Sequence, residues 1–392
     1  MVSNSTRTGL LSDKHEQLQA TVYSFAREEV APVIGELYER QEFPYAIVAQ
    51  MAEMGLFGLP FPEQYGGAGE DHLSLCLAVE ELARVDSSVA ITLAAAVGLG
   101  ATPIYRNGNE AQKQRWLPPL CRGERLAAFG LTEPSGGSDA AAVGTTARRD
   151  GREWVINGTK AFITNAGTSI TSVVTVAAVT GEPVNNRRQI SAVVVPAGTA
   201  GFTVAKKYSK VGWSASDTSE LSFSDCRVPI DHVLGEEGRG YTQFLGVLDE
   251  GRIAVAALAV GLAQGCIDEC LAYMGQREVG GHRIGEYQAL QFKLADMEAR
   301  THAARLTWYD AAARLSAGKP FKKQAAIAKL VASDAAMVNA REATQIFGGH
   351  GFMNDAPVGR FYRDAKILEI GEGTSEIQRI IIARQLGLPP ST

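Results

Sequence analysis

One glutamate of the sequence, Glu372, stands between two glycines just before a predicted helix, which leaves its surroundings open to a ligand. Thr374 or Ser375 caps that helix, and Ser375 with Gln378 fits a capping box. A carboxylate in this position can simply interact with the helix dipole. It can also act as a general base if burial moves its pKa toward neutrality.

Two glycine-rich segments can bring backbone close to a ligand. The segment from Gly130 to Asp139 adds the hydroxyls of Thr132 and Ser138, so it is suited to hold an anion, although a plain Gly/Ser turn has the same composition. The segment from Gln345 to Phe352 follows a predicted helix. Its glycines either form a C-cap or let the backbone lie against a pyrophosphate.

Helices predicted at the start of the chain lie before the first of these segments. Ser12 is a predicted N-cap, Pro44 opens a second helix, and Asp71 caps a third. Three glycines between residues 63 and 70 mark a loop. The region up to about residue 125 is therefore predicted to be helical.

The middle of the chain, from about 126 to 234, has short β-prone runs separated by turn signals. Asn157-Gly158 stands between Trp154–Ile156 and Ala161–Thr164, a pattern that predicts a β-hairpin. Ile190–Val195 and Glu220–Phe223 are further predicted strands. We expect a small barrel or sandwich.

The last region is predicted to be a helical bundle, because apolar residues repeat with spacings of four and three. This repeat comprises Leu290, Leu294, Met297, Thr301, Ala304, Trp308, Ala311 and Leu315. Two more helices are predicted at about 323–347 and 374–385. The predicted domains are residues 1–126, 127–236 and 237–392.

Composition narrows the classes of function. The 392 residues are 45% hydrophobic and 21% charged, with a net charge of −5, so a globular protein is favoured and nucleic acid is disfavoured as the main partner. The five cysteines have no CxxC spacing and are predicted to be buried thiols. No signal peptide and no membrane-spanning run is predicted. A nicotinamide Rossmann enzyme is disfavoured because GxGxxG and alternating βαβ units are both missing.

Taken together, five segments resemble the acyl-CoA dehydrogenase family along essentially the whole chain. Gly130–Ala142 fits the family's first signature and Gln345–Asp364 its second. Gln291–Met297 resembles a third block, and Ser216–Leu221 with Arg227–Pro229 resembles strands of the middle domain. The resemblance implies a multi-domain α and β fold: an N-terminal α-helical domain, a middle β-barrel-like domain and a C-terminal four-helix bundle.

The resemblance also implies FAD bound between the β-domain and the bundle, and no metal. The residues that match FAD-contacting positions are Leu131, Thr132, Gly137, Ser138, Phe162, Thr164, Arg277, Gln288, Gln345, Gly348, Gly349, Thr374 and Glu376. Some of these contacts reach across a dimer interface in the family. The residues that match substrate-contacting positions are Ser138, Asp249, Arg252 and Gly373.

By the same resemblance, Glu372 removes the α-proton of an acyl-CoA while the β-hydrogen leaves as hydride to flavin N5, which gives a trans-2-enoyl-CoA. The thioester carbonyl accepts hydrogen bonds from a ribityl hydroxyl and from the amide of this glutamate. The nearby helix N-terminus opposes a raised pKa, so we expect desolvation to prevail only with substrate bound. Some branches of the family carry the base at the position of Gly251, which leaves Glu372 as the matching base.

Three residues depart from the family pattern. Phe162 replaces a frequent Trp but remains aromatic, and Gly280 replaces a Phe that packs near FAD. Gly371 replaces the Tyr of many straight-chain enzymes, which should widen the acyl cavity. Since Leu248–Arg252 also resembles short-chain and short-branched members, we expect short or branched acyl groups, from fatty-acid β-oxidation or branched-chain amino-acid degradation.

The family resemblance further implies an electron-transfer flavoprotein as electron acceptor and a homotetramer built as a dimer of dimers. The expected location is the cytoplasm, or the mitochondrial matrix for a mature eukaryotic chain. Three rivals are disfavoured: an acyl-CoA oxidase by chain length, a DNA-binding relative by the acidic balance, and a flavin-free helical interaction protein by the motifs. Whether the acyl group is carried by CoA or by a carrier protein stays open.

Overall fold

The computed structural model describes residues 11–185 and 187–389, and its first part is a set of helices. Ser12 accepts a hydrogen bond from the amide of His15 (3.3 Å), and Asp71 accepts one from Ser74 (2.8 Å), so both predicted N-caps are confirmed. Pro44 also precedes a helix, as predicted. The helices are α1 Asp13–Phe25, α2 Ala31–Arg40, α3 Tyr45–Glu53, α4 His72–Ala83, α5 Ser87–Ala94, α6 Thr102–Asn107 and α7 Glu110–Cys121. Wide π-helical turns join α1 to α2 and α5 to α6.

A curled seven-stranded sheet forms the middle of the molecule. The strands are β1 Leu126–Gly130, β2 Thr146–Asp150, β3 Glu153–Thr164, β4 Thr171–Val184, β5 Arg187–Pro196, β6 Phe202–Lys207 and β7 Thr218–Pro229. Their order is β1-β4-β2-β3-β7-β6, and β5 pairs with β4. A separate apolar core fills the sheet, with Trp154, Ile156, Val176 and Leu221 buried in it.

The hairpin predicted at Asn157-Gly158 is wrong. β3 continues through these residues and pairs with β7 along its length, with a register shift at Gly158. The hairpin lies instead between β2 and β3, where Asp150 pairs with Glu153. A Cβ atom on Gly158 would overlap Thr145, so this glycine permits a close approach of two backbones rather than a turn.

Three long helices pack together in the last part of the chain, and two shorter ones pack against the third. They are α8 Gly240–Met274, α9 Gln288–Ser316, α10 Lys322–Phe347, α11 Pro357–Leu368 and α12 Ser375–Gln385, with a short hairpin of β8 Glu278–Val279 and β9 His282–Arg283 after α8. The predicted seam of α9 is confirmed, since Met297, Thr301, Ala304, Trp308 and Ala311 are fully buried.

Helix α8 is the central element of the core. It packs against α4 and α5 on one side and against α9 and α10 on the other, so residues from Ile253 to Ala263 are buried on every face. This helix and the segment Ser87–Asn107 are long and apolar enough to cross a membrane. Their most apolar windows are 83% and 89% buried in the fold, so both are core helices here.

A buried carboxylate connects the three parts of the molecule. Asp364 on α11 accepts hydrogen bonds from the hydroxyl groups of Tyr38 and Ser87, both at 2.6 Å, and from the backbone amide of Trp213 at 2.7 Å. We call these four residues the Asp364 joint. Beside it, Arg360 lies 2.9 Å from Asp86. Part of the second signature therefore has a structural role.

The five cysteines are free and buried, as predicted. Among the described residues, no group of three or more His, Cys, Asp or Glu side chains is arranged to hold a metal ion.

Candidate active site

Glu372 lies in the turn between α11 and α12, in a backbone conformation that is rare for residues with a side chain. Its φ angle is +52° and that of Gly373 is +97°. Hydrogen bonds from the amide of Gly371 to Ile367 (2.8 Å) and from Ser375 to Glu369 (2.9 Å) close the turn. Left-handed backbone costs a non-glycine residue about 1–2 kcal/mol, so surrounding contacts must hold it.

The start of α12 differs from the predicted capping box. Thr374 is the N-cap, and its hydroxyl accepts a hydrogen bond from the amide of Ile377 at 3.3 Å. Gln378 is buried and does not reach back to the amide of Ser375. It donates instead to the carbonyl of Gly373 at 2.8 Å, because the left-handed turn presents that carbonyl to it.

Glu372 is half-buried as a residue, but its Oε2 atom is buried and incompletely bonded. Its Oε2 atom has no hydrogen-bond partner among the described residues. Burial raises the pKa of Glu372 from 4.5 to about 7, against the attraction of Arg252 and Lys329, which lowers it. The expectation that desolvation prevails only with substrate bound is therefore wrong, because burial within the protein is already sufficient.

A buried lysine and Gln378 share one carbonyl beside the glutamate. Lys329 on α10 donates from Nζ to the carbonyl of Gly373 at 2.8 Å, the distance at which Gln378 also donates to it. Gln378 lies 3.4 Å from the carbonyl of Glu372 as well. Within the described part of the chain, the amide of Glu372 donates to no protein acceptor. The turn therefore leaves one carboxylate oxygen and one N–H group free.

Helix α8 closes the other side of the carboxylate. A Cβ atom on Gly251 would overlap Oε2 of Glu372. A side chain at position 251 and this placement of the glutamate therefore exclude each other. Asp249 and Arg252, both predicted to lie near substrate, form an ion pair on the same helix, and Lys322 lies 3.2 Å from Asp249. Arg252 is almost completely buried.

The loop after β1 is held from beneath by a buried ion pair. Glu133 accepts from Nζ of Lys160 and from the amide of Gly144, both at 2.7 Å, and from the amide of Thr145 at 2.9 Å. Lys160 also lies 3.3 Å from the carbonyl of Leu131. The predicted ligand-contacting residues of this loop lie above the pair: Leu131 and Thr132 are half-buried, and Gly137 and Ser138 are exposed.

Phe162 on β3 is an unusual exposed aromatic residue. Its side chain is 62% exposed and its φ angle is +61°. The ring lies 5.0 Å from that of Tyr208, which covers only part of it. Thr164, two positions further along β3, is half-buried. An exposed ring in a strained backbone is consistent with a surface that packs against a ligand.

A third set of predicted residues lies at the far ends of α8 and α10. The rings of Tyr273 and Phe347 stack at 4.1 Å, and the amide of Arg277 donates to the carbonyl of Tyr273 at 2.8 Å. This contact brings the hairpin after α8 close to the end of α10. The exposed members of the set are Arg277, Gln288, Gln345, Gly348 and Gly349.

The predicted site residues thus form three groups: one around Glu372, one at the loop and Phe162, and one at the Tyr273 stack. Within residues 11–185 and 187–389, no hydrogen bond, ion pair or ring contact joins the last group to the other two. Thr374 serves as a helix cap, and Glu376 is exposed.

Sequence reasoning missed Lys329 and the Glu133–Lys160 pair, and it gave Gln378 a capping role instead of its contact to the Gly373 carbonyl. One signal for Lys329 was present, because it is a lone charge between Ala328 and Leu330 in an otherwise apolar run. The structure places it fully inside, where a charge needs a partner.

Family models match nearly the whole chain. Residues 12–124 match the N-terminal domain of acyl-CoA dehydrogenase, residues 128–226 the middle domain, and residues 238–387 the C-terminal domain. A probable acyl-CoA dehydrogenase of Bacillus subtilis, YngJ, is 47% identical over 376 residues, which cover 96% of this chain and 98% of the relative.

Solved structures agree with these matches. One is the butyryl-CoA dehydrogenase of Megasphaera elsdenii, with a TM-score of 0.92, 42% identity, and coverage of 96% of this chain and 98% of that one. Another comes from a study of the electron transferring flavoprotein of Acidaminococcus fermentans, with a TM-score of 0.93, 42% identity and the same coverage.

Proposed function

Because the chain belongs to the acyl-CoA dehydrogenase family, we propose that Glu372 is the base that removes the α-proton of its substrate. The protein is an oxidoreductase that dehydrogenates an acyl-CoA with FAD, and its three-part fold is the family fold. The role of Glu372 as the base is a more specific proposal, and the surroundings of its side chain support it.

One observation carries the proposal: Oε2 of Glu372 is buried and has no partner in the described chain, in a turn whose strain is maintained by other contacts. A general base works best when its pKa is near the working pH. The pKa of about 7 that burial gives Glu372 meets this requirement, whereas an exposed glutamate would be too weak a base.

The free amide of Glu372 supports a second role for the same turn. Removal of an α-proton places negative charge on the thioester oxygen, and a pre-placed N–H donor stabilises that charge. In our proposal the amide of Glu372 donates to this oxygen while its carboxylate takes the proton. The left-handed backbone lets one residue present both groups to the substrate.

The residues present fit FAD. Phe162 offers an exposed ring for the flavin, and Cβ atoms on Gly348 and Gly349 would meet no atom within 4 Å, so the backbone there is open to a pyrophosphate. We propose that the loop group and Phe162 hold the flavin end and that the group at the Tyr273 stack holds the adenosine end. FAD, when bound, accepts the β-hydrogen of the substrate as hydride.

We further propose a short or short-branched acyl group. Gly371 directly precedes Glu372 and has no side chain to limit the cavity there, and the carboxylate itself takes the space beside Gly251. The structurally similar protein of M. elsdenii is named for butyryl-CoA, a short-chain thioester. Asp249, Arg252, Ser138 and Gly373 are the proposed contacts to the rest of the thioester.

We also propose that an electron-transfer flavoprotein accepts the electrons, that the enzyme is a homotetramer, and that it acts in the cytoplasm. The first proposal is supported by the similar structure from the A. fermentans flavoprotein study. It is tested by stopped-flow reoxidation of the reduced enzyme with that flavoprotein and with oxygen. Faster reoxidation by oxygen would favour an oxidase instead.

The base is tested by anaerobic bleaching of the flavin with a panel of acyl-CoA thioesters of different length and branching. Glu372→Gln keeps the shape of the side chain but cannot accept the proton, so the bleaching rate should fall by about a hundredfold to ten-thousandfold. FAD content, measured from the flavin absorbance, should stay unchanged. Wild-type bleaching in this variant would refute the proposal.

A further inference from the structure

Lys329 is one of the two fully buried lysines among the largest buried side chains. It lies on α10 among Ala325, Ala326 and Ala332, which are also fully buried. Burying an ammonium group is costly unless it is hydrogen-bonded and faces an opposite charge. The other such lysine, Lys160, is directly paired with Glu133. Among residues 11–185 and 187–389, no carboxylate is in hydrogen-bond contact with Lys329.

The hydrogen bond of Lys329 goes to the backbone beside the base. Its Nζ lies 2.8 Å from the carbonyl oxygen of Gly373, the residue that follows Glu372. Gln378 holds the same oxygen from the opposite element, α12. With two donors on this carbonyl, the peptide group between Gly373 and Thr374 is held in place. This peptide group ends the left-handed turn of Glu372 and Gly373, so fixing it helps the turn to persist.

The charge of Lys329 also faces Glu372. The charged groups around the carboxylate are Arg252 from α8 and Lys329 from α10. Arg252 is already paired with Asp249. Of the charged groups that act on Lys329, Glu372 has the largest influence, ahead of Arg252 and of the carboxylates of Glu369 and Asp334.

We propose that Lys329 is a positioning residue for the reaction, which holds the Glu372 turn through the Gly373 carbonyl and provides the countercharge for the buried carboxylate. This inference rests on the proposed role of Glu372 as the base. It explains why a charged side chain is buried in a stripe of alanines: the ammonium group stabilises the ionised form of a carboxylate that the fold otherwise desolvates.

Two substitutions separate the two parts of this role. Lys329→Gln keeps a donor for the Gly373 carbonyl but removes the charge, and Lys329→Met removes both. Lys323→Gln on the same helix is the matched control, since Lys323 is half-buried and has none of these contacts. The measurement is the rate of flavin reduction by butyryl-CoA in stopped flow, from pH 5.5 to 9.5.

In Lys329→Gln, the pH at which the rate rises should move upward by roughly half a unit or more relative to wild type and Lys323→Gln. The limiting rate at high pH should stay within a few-fold. In Lys329→Met, the limiting rate should also fall, because the turn is no longer held. If Lys329 only fills space, both variants lose thermal stability or FAD content, but the pH at which the rate rises stays the same. That result would overturn the inference.

A second readout does not depend on turnover. We would measure the Tm of wild type, Lys329→Gln, Glu372→Gln and the double variant at pH 5 and at pH 7.5. Burial lowers the pKa of Lys329 to about 8 and raises that of Glu372 to about 7, so both groups are mostly charged at pH 7.5. Coupling between the two positions should appear there and vanish at pH 5, where Glu372 is protonated. Equal coupling at both pH values would reject the charge part. If flavin is reduced at the normal rate in Glu372→Gln, the proposed function fails. If reduction is slow in Glu372→Gln but the pH at which the rate rises is unchanged in Lys329→Gln, only this inference fails.

Discussion

Asp364 and Glu372 both have buried carboxylate oxygens in the last part of the chain, yet their surroundings are opposite. Burial raises the pKa of each group. The Asp364 side chain accepts hydrogen bonds from Tyr38, Ser87 and the Trp213 amide, and it lies within a regular helix. Glu372 lies in a left-handed turn and has an oxygen without a partner. Full hydrogen bonding indicates a structural carboxylate, whereas an unsatisfied oxygen held in place by others indicates one that acts on a ligand.

The largest effect on stability should come from the satisfied carboxylate. Asp364→Ala leaves three buried donors without an acceptor, so the free energy of unfolding should fall by about 3–5 kcal/mol. Urea denaturation measures it. The matched control is Asp310→Ala, which removes an exposed i,i+4 ion pair to Arg314 and should cost at most about 0.5 kcal/mol. Similar losses in both variants would break the comparison.

Replacement of Glu372, whose Oε2 has no partner in the described chain, should change the free energy of unfolding in the opposite direction from replacement of Asp364. Because the pKa of Glu372 is raised from 4.5 to about 7 in the folded protein, its contribution to stability is fully present below pH 4.5 and is lost as pH rises through 7. Glu372→Gln removes this loss, so it should stabilise the protein by about 1–3 kcal/mol at pH 8.5 and have little effect at pH 4.5. Urea denaturation at the two pH values measures the difference. A destabilised variant at pH 8.5 would show that the carboxylate is structural after all.

Two glycines of α8 test how tightly Glu372 is placed. A Cβ atom on Gly251 would overlap its Oε2, whereas one on Gly246 would meet nothing within 4 Å. Gly251→Ala should therefore displace the base and slow flavin reduction by about tenfold to a hundredfold. Gly246→Ala adds the same methyl group to the same helix and should leave the rate near wild type while raising stability by about 0.5–1 kcal/mol. Stopped-flow reduction and thermal unfolding of both variants check this, and equal rates would mean that the carboxylate moves freely.

The smallest effect concerns a single hydroxyl group of the Asp364 joint, that of Ser87, which makes two hydrogen bonds. Ser87 donates to Asp364 and accepts from the indole of Trp213, so Ser87→Ala should cost about 1–2 kcal/mol. Its neighbour Ser88 is equally buried, but its hydroxyl has no partner in the described chain. Ser88→Ala should therefore be neutral or slightly stabilising. Chemical denaturation of the two variants separates the hydrogen bonds of the Ser87 hydroxyl from the effect of burial, and equal losses would contradict this prediction.

The elements with local signals could be predicted from the sequence. Caps at Ser12 and Asp71 and the seam of α9 depend on neighbouring residues and on helical periodicity, and all three were confirmed. The Asn157-Gly158 signal failed because a tertiary contact, the approach of Thr145, uses the glycine instead. The hairpin uses instead the two-residue loop Gly151-Arg152 between Asp150 and Glu153, with a glycine of positive φ in its first position.

The sequence pointed to the candidate base, but it did not show which residues hold that base in place. The two flanking glycines made Glu372 a candidate, and the family resemblance assigned it the role of the base. The contact of Lys329 with this turn and the members of the Asp364 joint depend on which distant segments meet. No spacing rule specifies such contacts, so they became visible only in the fold.

The joint at Asp364 also has a consequence for synthesis of the chain. Its three hydrogen bonds join residues separated by 326, 277 and 151 positions in the sequence. On the ribosome, Tyr38, Ser87 and Trp213 emerge long before their common acceptor. The nascent N-terminal helices and the sheet must therefore remain without this link until α11 has left the exit tunnel. A chaperone that shields those early segments would act in that interval.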